Sequence, residues 1–278
     1  MIFKKLNPLD NLSFKQLDMF INLHKPIMLL LSLVCIICLI NAGLTINWIE
    51  WWKIFLIYYF IGTIEQIFYH RRFAHKSWQA PKWLDFIGLW LSSLSLLGNP
   101  IAYVAHHRVH HKFADTPLDP HTPYHHKWWK IVFLFPYYKG SLKYSFDLCM
   151  DDMQRFFGTY TLPIIILNWT IICYITSFDW FFQFWLSGTG LYLIIKNYLN
   201  IRLHKPSKLS ISYKKENNKD LSSNNIIWGY LSFDGWHQNH HLNPHLWYYG
   251  NKWWEIDVPG IFIFLLSVIT FQKANFKT

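Results

Sequence analysis

Histidines are the residues of this chain whose type and spacing could do chemistry. Of 15 histidines, eight fall in three clusters. These are His70 with His75, then His107-Arg108-Val109-His110-His111, and finally His237-Gln238-Asn239-His240-His241. On a helix, positions i, i+3 and i+4 lie within an arc of roughly 100°. Each H-x-x-H-H set is therefore expected to aim three imidazoles at one point. His70 and His75 stand about 140° apart by the same arithmetic, which predicts that the pair straddles a helix end. Neutral imidazole is the commonest protein metal ligand. Imidazoles without a matching thiolate set suit iron, copper or zinc rather than magnesium or calcium. They are too many for one ion, so the pattern predicts two.

The elements that must position these rings are apolar. The chain has 278 residues, of which 52% are hydrophobic, 20% aromatic and only 15% charged. Soluble domains carry about 25% charged residues, so a membrane protein is expected. The net charge of +10 then reads as positive loops on the cytoplasmic side rather than as a nucleic-acid surface. Cys35 and Cys38 form a C-x-x-C inside a run of Leu, Ile and Val, which reads as packing in an apolar helix rather than a redox or zinc site. Residues 1–26 are polar and basic, with Lys4, Lys5, Lys15 and Lys25, and lack the pattern of a secretory signal.

Four spans are expected, over about Ile27–Ile49, Trp52–Tyr69, Thr159–Phe178 and Trp180–Tyr198. Glu65 and Gln66 lie near the end of the second, where an acidic group must face protein or the metal site. Phe86–Leu97 and Gly260–Phe271 are too short to cross comfortably and read as re-entrant, interfacial or buried helices. Ser207–Asn225 is the longest stretch read as a linker. The two outer turns, about Gly43–Trp52 and Phe178–Trp180, contain no Lys or Arg. That asymmetry puts both termini and every histidine cluster on the cytoplasmic face. The expected fold is all-α, a single domain over 1–278 with four transmembrane helices and a cytoplasmic helical cap holding a di-iron site.

Two histidine-bound metals at the mouth of an apolar bundle suggest redox chemistry on a lipid. A saturated chain offers no acid or carbonyl, so breaking its C–H bonds requires an oxidant, which iron and O₂ supply.

The sequence resembles the membrane fatty-acid desaturases, in particular their stearoyl-CoA, delta-9 branch. The motifs that carry the resemblance are His70-Arg71-Arg72-Phe73-Ala74-His75, His107 to His111 followed by Asp115-Thr116 and Asp119-Pro120-His121, and Gly235-Trp236-His237 through His241. They span about residues 55–245. The resemblance implies a ninth ligand, His204, with Asn200 four residues earlier holding a metal-bound water. It implies two Fe ions, with Zn able to replace them on overexpression. The implied substrate is a long acyl chain, as acyl-CoA in the first expectation and as acyl-lipid in the alternative. Ala105 and His106 stand where animal acyl-CoA desaturases carry an Arg-Asp pair that contacts the CoA. Tyr103 replaces a Trp of the family, Asp234 a Glu, and Phe68 a small residue. No His-Pro-Gly-Gly heme motif occurs, so a separate donor such as ferredoxin or cytochrome b5 is expected to supply electrons.

Asp115, Asp119, His121 and Asp234 are candidates to orient the ligating rings, because metal-bound histidines donate their other N–H to a carboxylate or carbonyl. Arg71, Arg72, Arg108 and Lys112 could meet a phosphate headgroup or an acidic electron donor. His24, His106, His125, His126 and His245 read as bystanders. Two other functions fit the composition. A di-iron lipid or carotenoid hydroxylase would share the first hydrogen abstraction. A metal transporter would need ionisable groups inside its spans, whereas these histidines cluster outside them.

Overall fold

A computed structural model describes residues 24–134, 142–213 and 220–274. Lys4, Lys5 and Lys15 lie outside them. The described residues form two compact units, one from residues 24–61, 89–106 and 142–195, the other from 62–88, 107–134, 196–213 and 220–274.

The helices, in order, are α1 Lys25–Thr45, α2 Trp51–Glu65, α3 Lys82–Ser92, α4 Pro100–Phe113, α5 Trp128–Leu134, α6 Phe146–Cys149, α7 Asp152–Ile175, α8 Phe178–Trp180, α9 Ser187–Arg202, α10 Ile226–Leu231, α11 His237–Leu242 and α12 Val258–Thr270. Two π-helical turns extend this set. Gln66–Ala74 continues α2, and Phe181–Leu186 joins α8 to α9. Fully α-helical architecture was expected. The described residues depart from it in one short antiparallel pair, β1 Ser210–Ile211 with β2 Asn224–Asn225, and in an isolated antiparallel bridge between Trp78 and Ala274.

Among the described residues two helices are long and apolar enough to cross a bilayer, α1 and α7, with mean hydropathies of 2.7 and 1.6. The α7 helix starts at Asp152, seven residues before the expected Thr159, because Asp151 caps it by accepting from the Gln154 amide. It kinks at Tyr160, where Pro163 removes a backbone donor and crowds the preceding turn. The stretch read as a re-entrant, interfacial or buried helix belongs to a bent pair: Lys82–Ser95 and Pro100–Phe113 meet at 77°. Leu96 and Gly98 make the bend with φ of 56° and 89°. At 13 residues α12 is short, as expected.

In the first unit α1 packs on the 181–186 turn and the start of α9. A Cβ on Gly190 would lie 2.4 Å from the Cys35 carbonyl oxygen, so only glycine lets these backbones approach this closely. Cys35 is buried at that contact and both cysteines of the C-x-x-C are free, in agreement with a packing role. Leu30, Ile37, Ile40 and Leu44 line the exposed side of α1, an apolar surface that suits lipid rather than water.

In the second unit α12 packs against the 66–74 turn. Arg71 ties them together. Its guanidinium donates to both Asp257 carboxylate oxygens, at 2.6 and 2.8 Å, and lies 3.9 Å above the Tyr249 ring. The same Asp257 caps α12 by accepting from the Gly260 amide.

Candidate metal centre

All nine expected ligands belong to the second unit. The first histidine pair depends on the π-helical turn. The His75 amide donates to the His70 carbonyl at 3.1 Å, an i→i+5 bond. Such a turn sets residues five apart one above the other, so the rings of His70 and His75 meet at 4.9 Å between centroids. His75 caps the turn, so the expected helix end is present. Arg108, from the second histidine motif, donates to the carbonyls of Phe73 and Ala74, each at 2.9 Å. These are carbonyls at the end of a helix, which need donors. Of the four basic residues that could meet a headgroup or donor protein, the three arginines are engaged inside the fold. Arg71 binds Asp257, Arg72 makes a two-fold contact with Asp85, and Arg108 holds the first motif.

The H-x-x-H-H motifs do not each aim three rings at one point. Ligand atoms of His70, His75, His107, His111 and His240 lie within 4.8 Å of one another, and so do those of His110, His204, His237 and His241. Each motif thus sends its i and i+4 rings to one group and its i+3 ring to the other. Positions i and i+4 overlap on one helix face, whereas i+3 and i+4 lie about 100° apart. A pair one turn apart can share an ion while the third ring turns to its neighbour. The split is reciprocal: His107 and His111 join the first group with His240, and His237 and His241 join the second with His110.

Within the groups the Nε2 atoms converge. His75 and His107 approach to 2.7 Å, His111 and His240 to 2.8 Å, and His70 and His240 to 3.1 Å. In the second group His204 meets His237 at 2.9 Å and His110 meets His241 at 3.2 Å. Four of the Nδ1 atoms face outward to acceptors, whereas that of His240 is buried without a hydrogen-bond partner among the described residues. His110 bonds Asp119 at 3.0 Å, His204 bonds Asp115 at 3.0 Å, His241 bonds Asp220 at 2.8 Å and His70 bonds Gln66 at 2.6 Å. His237 Nδ1 stands 3.3 Å from Asp234 without hydrogen-bond geometry. An acceptor on Nδ1 fixes the proton there and leaves a lone pair on Nε2. Several lone pairs then face one another in a buried space, which is unfavourable unless a cation sits among them. The donor set therefore fits two metal ions held by nitrogen.

Electrostatics keep most rings neutral. Burial pushes His107, His111, His240 and His241 well below the usual histidine range, reinforced by neighbouring imidazoles. His75 falls to about 3, through burial and then Arg108. For Asp119 burial acts upward, but His110 and the amides of Asp115 and His121 prevail and bring it to about 2. For His110 burial acts downward and Asp119 prevails, so the ring is raised.

Residues 49–256 match the family model described as fatty acid desaturase. The chain belongs to the fatty acid desaturase family. A desaturase is an oxidoreductase of lipid metabolism, and the apolar helices and histidine groups agree with a membrane enzyme of that kind. The sn-1 stearoyl-lipid 9-desaturase of Anabaena variabilis is 28% identical over 221 residues, 77% of this chain and 79% of that protein. The sn-1 stearoyl-lipid 9-desaturase of Synechocystis sp. is 30% identical, covering 79% of this chain and 69% of its own. The acyl-CoA C20 Delta5-desaturase of Anemone leveillei is 28% identical, covering 84% of this chain and 76% of its own.

Of the ring-orienting residues expected in this desaturase, Asp115, Asp119 and Asp234 stand beside His204, His110 and His237. His121 lies 4.1 Å from His110 between ring centroids, and with Asp119 forms a further compact set. Asp220 and Gln66 are additional. Asp220 falls in the stretch read as a linker, whose described residues include β1 and β2. Its acidic type offered a signal, but nothing in the spacing joined it to His241. Asn200 is buried, and among the described residues its Nδ2 has no hydrogen-bond partner. His106, His125, His126 and His245 are absent from both groups, and His126 instead contacts the Asp119 carbonyl at 3.1 Å.

Proposed function

We propose that this desaturase inserts a cis double bond at the delta-9 position of a long, lipid-linked acyl chain, using O₂ and two electrons from a separate protein such as ferredoxin or cytochrome b5. The whole chain acts as one desaturase domain. Two irons are the resident metals, one held by His70, His75, His107, His111 and His240, the other by His110, His204, His237 and His241, with Asn200 reaching the second through a water. The observation that carries this reading is the sorting of all nine imidazoles, buried or half-buried, into two compact groups.

Iron with O₂ supplies an oxidant able to break an unactivated C–H bond. The protein's own share is positional. Asp119, Asp115 and Asp220 hold the Nδ1 protons, so the Nε2 lone pairs point inward. Burial keeps the rings unprotonated and excludes water that would compete for the oxidant. A lipid-linked chain is favoured because Ala105 and His106, where related acyl-CoA enzymes carry a charged pair, are buried. Two stearoyl-lipid desaturases among the relatives support the same choice.

Four spans accommodate this chemistry, formed by α1, α2 with its π-helical turn, α7, and the run from α8 to α9. Both termini and the metal site then face the cytoplasm. The four sequence segments that supply the imidazoles must lie on one side of the membrane, so the bent pair of α3 and α4 enters and leaves on that side. Expression in a host lacking endogenous desaturation, followed by fatty-acid analysis with double-bond location, tests the activity. A delta-9 monoene in the lipid fraction is expected. A hydroxy fatty acid, or no new product from folded and iron-loaded protein, would refute it.

A further inference from the structure

A buried lysine stands between the two imidazole groups. Lys196, on α9, is 5% exposed, and its ammonium lies 3.3 Å from Asp234 and 3.6 Å from Glu65. Each carboxylate leads on to a different group. Glu65 accepts from Gln66 Nε2 at 3.2 Å, and Gln66 Oε1 accepts from His70 Nδ1 at 2.6 Å. Asp234 stands 3.3 Å from His237 Nδ1. Glu65 and Gln66 are wholly buried, and all six residues belong to the second unit.

We propose that Lys196 is a positioning residue that couples the two metal sites through the chain His70–Gln66–Glu65–Lys196–Asp234–His237. An ammonium buried in an apolar helix is retained only with partners. Here two carboxylates supply them, and each in turn fixes where a ligand-bearing segment can sit. Removing the positive charge leaves two buried anions to repel each other, which displaces Gln66 on one side and Asp234 on the other. Both sites then loosen together, although Lys196 touches no ligand.

This inference rests on the two-iron reading, and the loss of iron to a chelator separates the two claims. Wild-type protein that never holds two irons would fail the reading itself. With two irons present, Lys196→Met should release both about 10–100-fold faster, the range for residues that orient ligands. It should also alter the ferrous Mössbauer signals of both sites. Lys196→Arg, which restores the charge, should return release to within about threefold of wild type by the same scale. Unchanged release in Lys196→Met, acceleration at one site alone, or failure of Lys196→Arg to rescue would overturn the coupling. Should Lys196→Met not fold, Glu65→Gln leaves the ammonium tied to Asp234 alone. Glu65 stands on the His70 side, so the shift of Lys196 should carry its loss to the other end and speed release from the His110, His204, His237 and His241 site as well; an effect confined to the His70 site would overturn the proposal.

Discussion

His241 donates from Nδ1 to Asp220 at 2.8 Å, joining the last histidine motif to a stretch with no motif of its own. Asp220 is one-fifth exposed while His241 is nearly buried, so the carboxylate closes the outer edge of the second imidazole group. Asp220→Ala should weaken metal retention at that site about 10–100-fold, as is usual for residues that orient a ligating ring. The first site should hold its metal as before. Chelator-release kinetics would show this as one accelerated phase of two. Equal acceleration of both phases, or none, would contradict the role.

Bystanders and ligands should separate within one helix turn. His106→Ala should retain two irons and most desaturation, because His106 belongs to neither imidazole group. His107→Ala should lose iron from the first site and fall to background activity. The reverse pattern would mean that the register of α4 is off by one residue.

The histidine spacing made the site's content legible but not its partition. Nine candidate ligands followed from three motifs and a family resemblance, and their rings lie in one unit. Their division into five and four did not follow, because a helix-face argument treats i, i+3 and i+4 as one patch. The bonding of five-apart residues at His70 and His75 requires a π-helical turn, which no sequence period announces. The arginines misled for a related reason. Charge alone marks Arg71, Arg72 and Arg108 as surface residues, whereas Asp257, Asp85 and two backbone carbonyls engage them. Asp257 and Asp220 are distant in sequence from what they hold, and tertiary pairing of that range leaves no local signature.

Gly235 should tolerate no side chain. A Cβ there would lie 2.1 Å from the Gly229 amide nitrogen and 2.2 Å from the Trp228 carbonyl carbon. Both are backbone atoms just before the third histidine motif and cannot move cheaply. Gly235→Ala should lower the melting temperature and cut iron content. Gly43→Ala is the control, since nothing lies within 4 Å of its Cβ. In a helix that change should be neutral or stabilise by about 0.5–1 kcal/mol. Thermal unfolding of both purified variants in detergent checks the contrast, and equal melting temperatures would refute it.

Metal-free protein should lose stability as pH falls. The folded values of His107, His111 and His240 lie well below 6.5. Below pH 6.5 the unfolded chain therefore takes up protons that the folded chain refuses, and stability declines. His110, raised in the fold, opposes this with a single ring. Asp119, at about 2 against an ordinary 3.8, contributes stability above pH 3.8 that is lost as pH falls through about 2. Melting temperatures of chelator-treated protein should fall from pH 7.5 to pH 5. A flat or rising profile would contradict the burial of neutral rings.

Topology has its own test. Single cysteines at Asn47 and Asp179, in a background without Cys35, Cys38, Cys149 and Cys173, should label from outside the cell, and one at Ser207 should not. External labelling at Ser207 would put His204 across the membrane from the other ligands.

The central claim is that nine imidazoles hold two irons. Its most direct test is the iron-to-protein ratio of purified, active enzyme, read together with its ferrous Mössbauer spectrum. Two irons per chain are expected, in two nitrogen-rich environments. A fully active preparation with a single iron, or with its activity supported by another metal, would contradict it.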